Sequence, residues 1–490
     1  MIFPYLSLII FIPLIAGVIL LFIPSQKRNL ILAIATSAAT LELVLAVIVY
    51  FNYSVDVAGY QFLEKLDWVP QLGISYYVGV DGISLPMLLL GAIVTFSGVL
   101  VSWRVEERPR EYFAFMMFLA SSVQGVFAAL DLFMLFFFFE LAVFPKYLMI
   151  IIWGSPKTRE YGGMKLTLYL FVGSMLALMG ALALYNASGL RTFDMLQLEK
   201  AGFSLEFQRW WFVVLFLGFG ILSGIFPLHS WAPDGHVAAP TAISMLLAGV
   251  EMKVGAYAAL RVAIMLLPEG ARWWAPWILV LATINVVYGA LIALIQTDFK
   301  YVIGFSSVSH MGLVLLGFAS LNREGLTGAG LQMFSHGIMT ALFFAIVGMV
   351  YDRTHTREIS QLGGLFKLMP WAGTGFIVAG LVSMGMPGFS GFIAEFPIMM
   401  GVWQVAPWAA MIAILGVLIT AAYILLVVRR VFFGQAGSEY AQQSMNIHIQ
   451  DKIVIALLVG VIVLLGCFPL LMSPLIQSGM DHVLVLLGGY

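Results

Sequence analysis

The sequence predicts an all-α polytopic membrane protein built as one integral domain over residues 1–490, and three observations carry that reading. First, 62% of its 490 residues are hydrophobic and 10% charged, whereas a soluble domain carries roughly a quarter charged residues. Second, the apolar residues fall in runs of about 20, enough to cross a bilayer as a helix. Third, two of these runs are interrupted by Gly and Pro, and several hold ionisable residues. Irregular backbone and charges inside a membrane occur where they line a polar path.

Taken in order, the spans fall near 3–23, 29–51, 84–103, 112–129, 131–153, 163–186, 210–229, 238–266, 273–295, 301–320, 327–351, 371–393, 404–428 and 452–475, about fourteen in all. The first, MIFPYLSLIIFIPLIAGVILLF, has no basic residue before it and is too long for a signal peptide, so it reads as a retained helix. Only Asp131 divides the fourth span from the fifth. The polar stretches 52–83, 187–209 and 429–451 read as loops or short interfacial helices. Setting aside Lys146, Lys165 and Lys253 as intramembrane, fourteen of the other 21 basic residues lie in the loops after the first, third, fifth, ninth, eleventh and thirteenth spans. The positive-inside rule then puts both termini on the non-cytoplasmic side. The seventh span breaks at GIFPLH and the twelfth at SMGMPGFSGFIAEF around Pro387. These breaks are five spans apart, and an odd offset inverts the second unit in the membrane. Helices 4–8 (112–266) and 9–13 (273–428) are therefore read as two inverted five-helix repeats.

Composition removes several function classes. Twenty-four basic against 25 acidic residues supply no concentrated basic face for nucleic acid. A single cysteine, Cys467, excludes an internal disulfide, a cysteine-ligated iron–sulfur cluster and a cysteine-rich zinc site. Gly218 and Gly220 begin a dinucleotide-like pattern, but the sixth position is Ser223 and the segment lies inside a span. No phosphate-binding loop is present, so ATP is not the direct energy source.

The ionisable residues inside the spans carry the chemistry. Glu140 sits nine residues into DLFMLFFFFELAVFPKYLMIIIW, where an ionised side chain costs about 2.5–3.5 kcal/mol. It reads as a carboxylate that loads and unloads a proton. Lys146, on another helical face, reads as snorkelling toward the surface. Lys253 lies about fifteen residues into its span, too deep to reach either interface, and reads as a proton-accepting lysine. Glu251, about 200° round the same helix, is not its direct partner but acts on its field. Lys165, near a helix start, either relays protons or snorkels. Glu395 follows the Pro387 break, where loosened backbone admits water. His229, His310 and His336, with Ser306, Ser307, Ser309 and Ser335, supply imidazoles and hydroxyls for a water chain. No two of these histidines share a helix at ligand spacing, so no metal site is expected.

At these residues the chain resembles the antiporter-like membrane subunits of respiratory complex I, the NADH–quinone oxidoreductase. The resemblance runs through FFFFELAVFPKYLMIIIWG (Glu140), FPLHSWAPDGHVAAPTA (His229), LLAGVEMKVGAYAALR (Lys253), IQTDFKYVIGFSSVSHMG (His310), MFSHGIMTALFF (His336), YDRTHTREISQLGGL and MPGFSGFIAEF (Glu395), and it covers essentially the whole chain. It implies a proton path from Glu140 through Lys253 to Glu395, driven by electron transfer in other subunits. It also implies sister antiporter-like and small membrane subunits as partners, in a bacterial inner membrane. No cofactor is expected in this chain; NADH, FMN, iron–sulfur clusters and quinone belong to the partners. One departure stands out. The family usually carries a lysine on helix 7, seven residues before the His of the FPLH-type motif, and here that position is Leu222. Either Lys165 or Lys146 substitutes for it, or Glu140 titrates higher. The same fold also serves multi-subunit Na⁺/H⁺ antiporters and membrane-bound hydrogenases. A membrane-embedded glycosyl- or acyl-transferase would instead place its acidic and histidine motifs in the loops.

Overall fold

The computed structural model describes residues 3–435 and 445–488. Among them, thirteen helices are long and apolar enough to span a membrane: α1 (Tyr5–Phe22), α2 (Arg28–Asn52), α3 (Ser84–Arg104), α4 (Pro109–Ala128), α5 (Leu132–Trp153), α6 (Arg159–Ser188), α7a (Leu205–Ser223), α8 (Thr241–Ile264), α9 (Pro268–Ile295), α10 (Phe299–Ala319), α11 (Arg323–Thr354), α13 (Pro407–Phe432) and α14 (Ile449–Cys467). The span expected at 210–229 ends at Ser223, and a short helix, α7b (Trp231–Ala238), follows the break. The span expected at 371–393 is a 14-residue helix, α12a (Pro370–Ser383), followed by α12b (Ser390–Val405). Both interruptions fall at left-handed glycines that no β-carbon would tolerate easily, Gly224 (φ 81°) and Gly385 (φ 64°).

Three expectations need correction. The stretch 52–83 is not all loop: Gln61–Val69 and Ile74–Val80 pair antiparallel as β1 and β2, with Glu64 opposite Val78. The run ISYYVGV is rich in β-branched and aromatic residues, a composition that fits a pleated surface better than an interfacial helix. The last span stops at Cys467, and a separate helix, α15 (Ser473–Leu486), packs back on α11. In 429–451, Val428–Phe432 is a π-type turn closing α13; 436–444 lie outside the described residues.

The hairpin fastens helix ends on its side of the bundle. The Glu64 carboxylate accepts from the N–H groups of Leu6 (2.8 Å) and Ser7 (3.1 Å), two of the donors a helix start leaves open. Asp131 caps α5 through the N–H groups of Phe133 and Met134, and its other oxygen accepts from Ser75 N–H at 3.0 Å. That residue divides two spans because its carboxylate is a helix cap.

Helices α8, α10 and α11 form the interior, almost wholly buried, while α1, α2, α6, α13 and α14 bury a third to two fifths of their apolar windows and present the rest outward. With lipid as apolar as leucine, close packing of small residues holds such helices together. One close crossing joins α8 to α11. A β-carbon on Gly337 would stand 2.6 Å from the Gly249 carbonyl oxygen, and one on Gly249 would stand 3.1 Å from that of Gly337. This crossing brings the Lys253 turn against His336.

Gly337→Ala is expected to force the two backbones apart and lower the thermal unfolding midpoint by several degrees, the scale of a roughly 1–3 kcal/mol overpacking penalty. Gly460→Ala, at a position with open space around it, should leave the midpoint unchanged in the same unfolding assay. Equal effects would contradict the close crossing.

Candidate functional site

Lys253 lies at the middle of the interior, fully buried. Its ammonium meets no carboxylate among the described residues; Nζ donates to the Ala248 carbonyl of its own helix. That carbonyl belongs to a π-type turn, Leu247–Glu251, and a second such turn follows at Ala259–Ile264. Widened turns of this kind free backbone acceptors and recur at functional positions. Glu251 points elsewhere, as expected from its place round the helix.

Toward α12b the line continues through His336, His310 and Glu395. The two imidazoles stack at 5.2 Å between centroids. His310 Nδ1 lies 3.3 Å from Glu395 Oε1 and 3.2 Å from Gln332 Nε2, and its Nε2 lies 2.9 Å from Ser383 Oγ at the end of α12a. Lys253, His310 and His236 are the titratable groups whose fields reach His336. Both ring nitrogens of His336 are buried without a protein partner.

In the other direction lies His236 on α7b, again with neither ring nitrogen partnered. Lys253 and Lys300 are the cations that act on it. Lys300, in the first turn of α10, is buried, and its Nζ donates to the Ala239 carbonyl at 2.5 Å. Beyond Lys300 opens a cavity of about 490 Å³, lined by Arg104, Tyr112, Lys300, Asp352, His355 and Arg357 among others. It lies at the end of the bundle that carries most of the Arg and Lys.

The remaining sequence candidates sit apart from this line. His229 stands in the α7 break, stacked on Phe226 and edge-on to Tyr288, within the field of Lys165. Lys165 does not snorkel: it pairs with Asp234 at 2.7 Å, and Tyr301 donates to the other oxygen of that carboxylate at 2.8 Å. Lys146 does not snorkel either. It is 1% exposed and pairs with Glu251 at 2.8 Å, because an opposite charge on the facing helix lies closer than any surface. Glu140 has no ion-pair partner among the described residues; Ser174 and Lys146 are the groups that bear on it, and its Oε1 has no hydrogen bond. The serines divide. Ser307 and Ser309 donate to main-chain carbonyls within the bundle, whereas Ser306 receives the Tyr423 hydroxyl and Ser335 faces Ser390 at 2.8 Å.

The broken backbone is kept satisfied by side chains. Trp231 Nε1 donates to the Ile221 carbonyl at 2.7 Å, and Asn285 Nδ2 reaches the carbonyls of Gly224 (3.2 Å) and Val308 (2.9 Å). No water from the bilayer core could do this.

A bundle that buries a line of titratable side chains between two interrupted helices defines a polytopic membrane protein with an internal polar axis. The chain belongs to the NADH:quinone oxidoreductase/Mrp antiporter membrane family, whose model matches residues 129–420. It is 36% identical to NADH-quinone oxidoreductase subunit M of Rhodobacter capsulatus, over 98% of this chain and 96% of that one. It is 35% identical to NAD(P)H-quinone oxidoreductase chain 4 of Gloeobacter violaceus, over 98% and 93%. Among solved structures it matches a chain of respiratory complex I from Thermus thermophilus with bound NADH (TM-score 0.91, 30% identity, 99% and 100% covered). It shares its fold with a chain of the Mrp complex from Dietzia (TM-score 0.86, 20% identity, 99% of each covered).

Lys146 and Lys253 should respond oppositely to removal. Lys146→Met strands the Glu251 carboxylate and is expected to cost about 3–5 kcal/mol, as breaking one side of a buried pair does. Lys253→Met removes a cation that has no carboxylate partner and should be neutral or stabilising. Thermal unfolding in detergent compares them; a larger loss for Lys253→Met would contradict the pairing described.

Proposed function

We propose that this chain is a proton-translocating, antiporter-like subunit of a complex I-type NADH–quinone oxidoreductase, carrying protons across the membrane while electron transfer proceeds in partner subunits. The observation that carries the reading is the line Lys300, His236, Lys253, His336, His310, Glu395, in which two imidazoles have four ring nitrogens free for water.

Every member of that line is a titratable group kept from bulk water, which suits hand-to-hand transfer and not a packed core. The cavity at the basic end is the uptake side, cytoplasmic by the positive-inside rule. Protons pass from it to Lys300 and His236, wait on Lys253, and leave through His336 and His310 to Glu395, where the α12 break opens the backbone. Glu140 serves as an input carboxylate, and His229 with the Lys165–Asp234 pair forms a side branch. The two broken helices are the matching elements of two inverted repeats, 112–266 and 273–428, and both termini face away from the cytoplasm of a bacterial inner membrane. No redox group is held in this chain. NADH, FMN, iron–sulfur clusters and quinone belong to partner subunits, and the coupling between them and this chain is electrostatic.

The energies are matched in size. Moving one charge against 100 mV requires about 2.3 kcal/mol. Widening an ion contact from about 4 to 8 Å at an effective dielectric of ~20 changes its energy by about 2 kcal/mol. A Na⁺/H⁺ antiporter would use the same fold. The relatives matched along nearly the full chain at 35–36% identity carry NADH- or NAD(P)H-quinone oxidoreductase names, and this favours the redox-driven reading.

Lys253→Ala and Glu140→Gln, each in the assembled complex, should reduce proton uptake per NADH oxidised at least tenfold in sealed membrane vesicles. Unchanged proton yield with redox turnover intact would remove both residues from the path.

A further inference from the structure

Lys253, Tyr257 and Arg261 follow one another at four-residue steps along α8, and all three are buried. Residues so spaced share one face of a helix. The Arg261 guanidinium stands over the Tyr257 ring at 5.1 Å and over the Tyr60 ring at 5.5 Å. It pairs with Asp81, and its Nη1 donates to the Tyr60 hydroxyl at 3.1 Å. Tyr60 and Asp81 in turn line a cavity of about 20 Å³, room for one water, together with Tyr53, Ser478 and His482. Val57, Ala58 and Gly59 at its rim are exposed. The cavity lies at the end of α8 opposite the basic one, which Pro240 and Thr241 line. Along this face of α8, Arg261 and Tyr257 stand between the outer cavity and the central lysine.

The groups on this face cannot relay a proton. A guanidinium offers only donors and stays protonated in proteins. Tyr257 commits its hydroxyl proton to the Phe127 carbonyl at 2.9 Å, an acceptor that does not pass it on. Asp81 Oδ1, which meets Arg261, also accepts from the N–H groups of Ile83 (3.0 Å) and Ser84 (2.9 Å). Arg261 Nε is buried without an acceptor; a water there could only accept from it, and would receive no proton through the guanidinium. Lys253 itself turns the other way, to the Ala248 carbonyl five residues earlier. We propose that Arg261, held by Asp81 and Tyr60, is a proton barrier closing the non-cytoplasmic end of α8, so that a proton on Lys253 leaves only through His336 and His310. The inference rests on the proton-transfer reading above and adds direction to it. Without the barrier Lys253 would be open to both sides at once, and the gradient would discharge through the chain. A buried arginine–aspartate pair is a poor way to gain stability, whereas a fixed cation in a polar passage is an effective way to stop protons.

The test uses the assembled complex in sealed vesicles and follows the decay of an imposed pH step without NADH, normalised to complex content. Arg261→His replaces a fixed cation by a group that titrates, and should speed the decay roughly fivefold or more. Adding Lys253→Ala to it should restore the wild-type rate, because the leak runs through the lysine. An unchanged decay for assembled Arg261→His would overturn the barrier. So would a fast decay that Lys253→Ala leaves in place, since that leak would come from loosened packing. Proton uptake per NADH in Lys253→Ala alone judges the underlying reading. If uptake is lost, the path stands whichever way the leak falls; if it is kept, the path itself is wrong. Ordered water in a structure of the wild-type complex gives a reading that needs no variant. A gap at the guanidinium is expected, and an unbroken file of water from the Tyr60 cavity past Arg261 to Lys253 would overturn the proposal.

Discussion

A lysine ammonium held at mid-membrane with only its own helix for a partner is the constraint on which the rest of this structure depends. Placing a cation at the centre of a spanning helix costs about 2.5–3.5 kcal/mol, and among the described residues Lys253 meets only the Ala248 carbonyl. The helix around it answers that cost locally. Its π-type turn presents the carbonyl, and its small residues let α11 approach closely enough to set His336 beside the lysine. The scaffold is therefore shaped around an unpaired charge, and the nearest carboxylate on the same helix is turned away to pair with Lys146.

The two helix interruptions belong to the same design. Breaking a helix inside lipid frees main-chain groups that water cannot reach. Here the Trp231 indole and the Asn285 amide take up the carbonyls at the first break, and Ser383 at the second turns its hydroxyl toward His310. Each break thus ends on a group of the polar line or beside one. His236 rides on the short helix after the first break, and Glu395 on the helix after the second. The hairpin and the Asp131 cap hold helix ends outside this line and contribute rigidity, not chemistry.

The fold was legible because the bilayer demands long apolar runs, and those runs are explicit in the sequence. Errors fell where that demand lapses: the β1–β2 hairpin, the stop of the last long span at Cys467, and the short α12a. At the site, Lys253, His310, His336 and Glu395 could be singled out from charge within apolar sequence, and they lie along one line. Pairing could not be read, because it depends on which face of which helix meets another. Lys146 looked like a snorkelling side chain until Glu251 on a distant segment was found opposite it, and Lys165 likewise found Asp234. His236 and Lys300 carried a weaker signal still. One was a second histidine in an interrupted segment, the other a loop-edge lysine two residues after a helix cap, and only the packing of α7b against α10 joins them.

The central claim is that the buried imidazoles belong to a hydrated line and not to a dry core. A structure of the assembled complex at a resolution that shows ordered water tests this most directly. The account predicts water bonded to both ring nitrogens of His236 and of His336, linking each ring toward Lys253. Dry, close-packed apolar groups against those four nitrogens would contradict it.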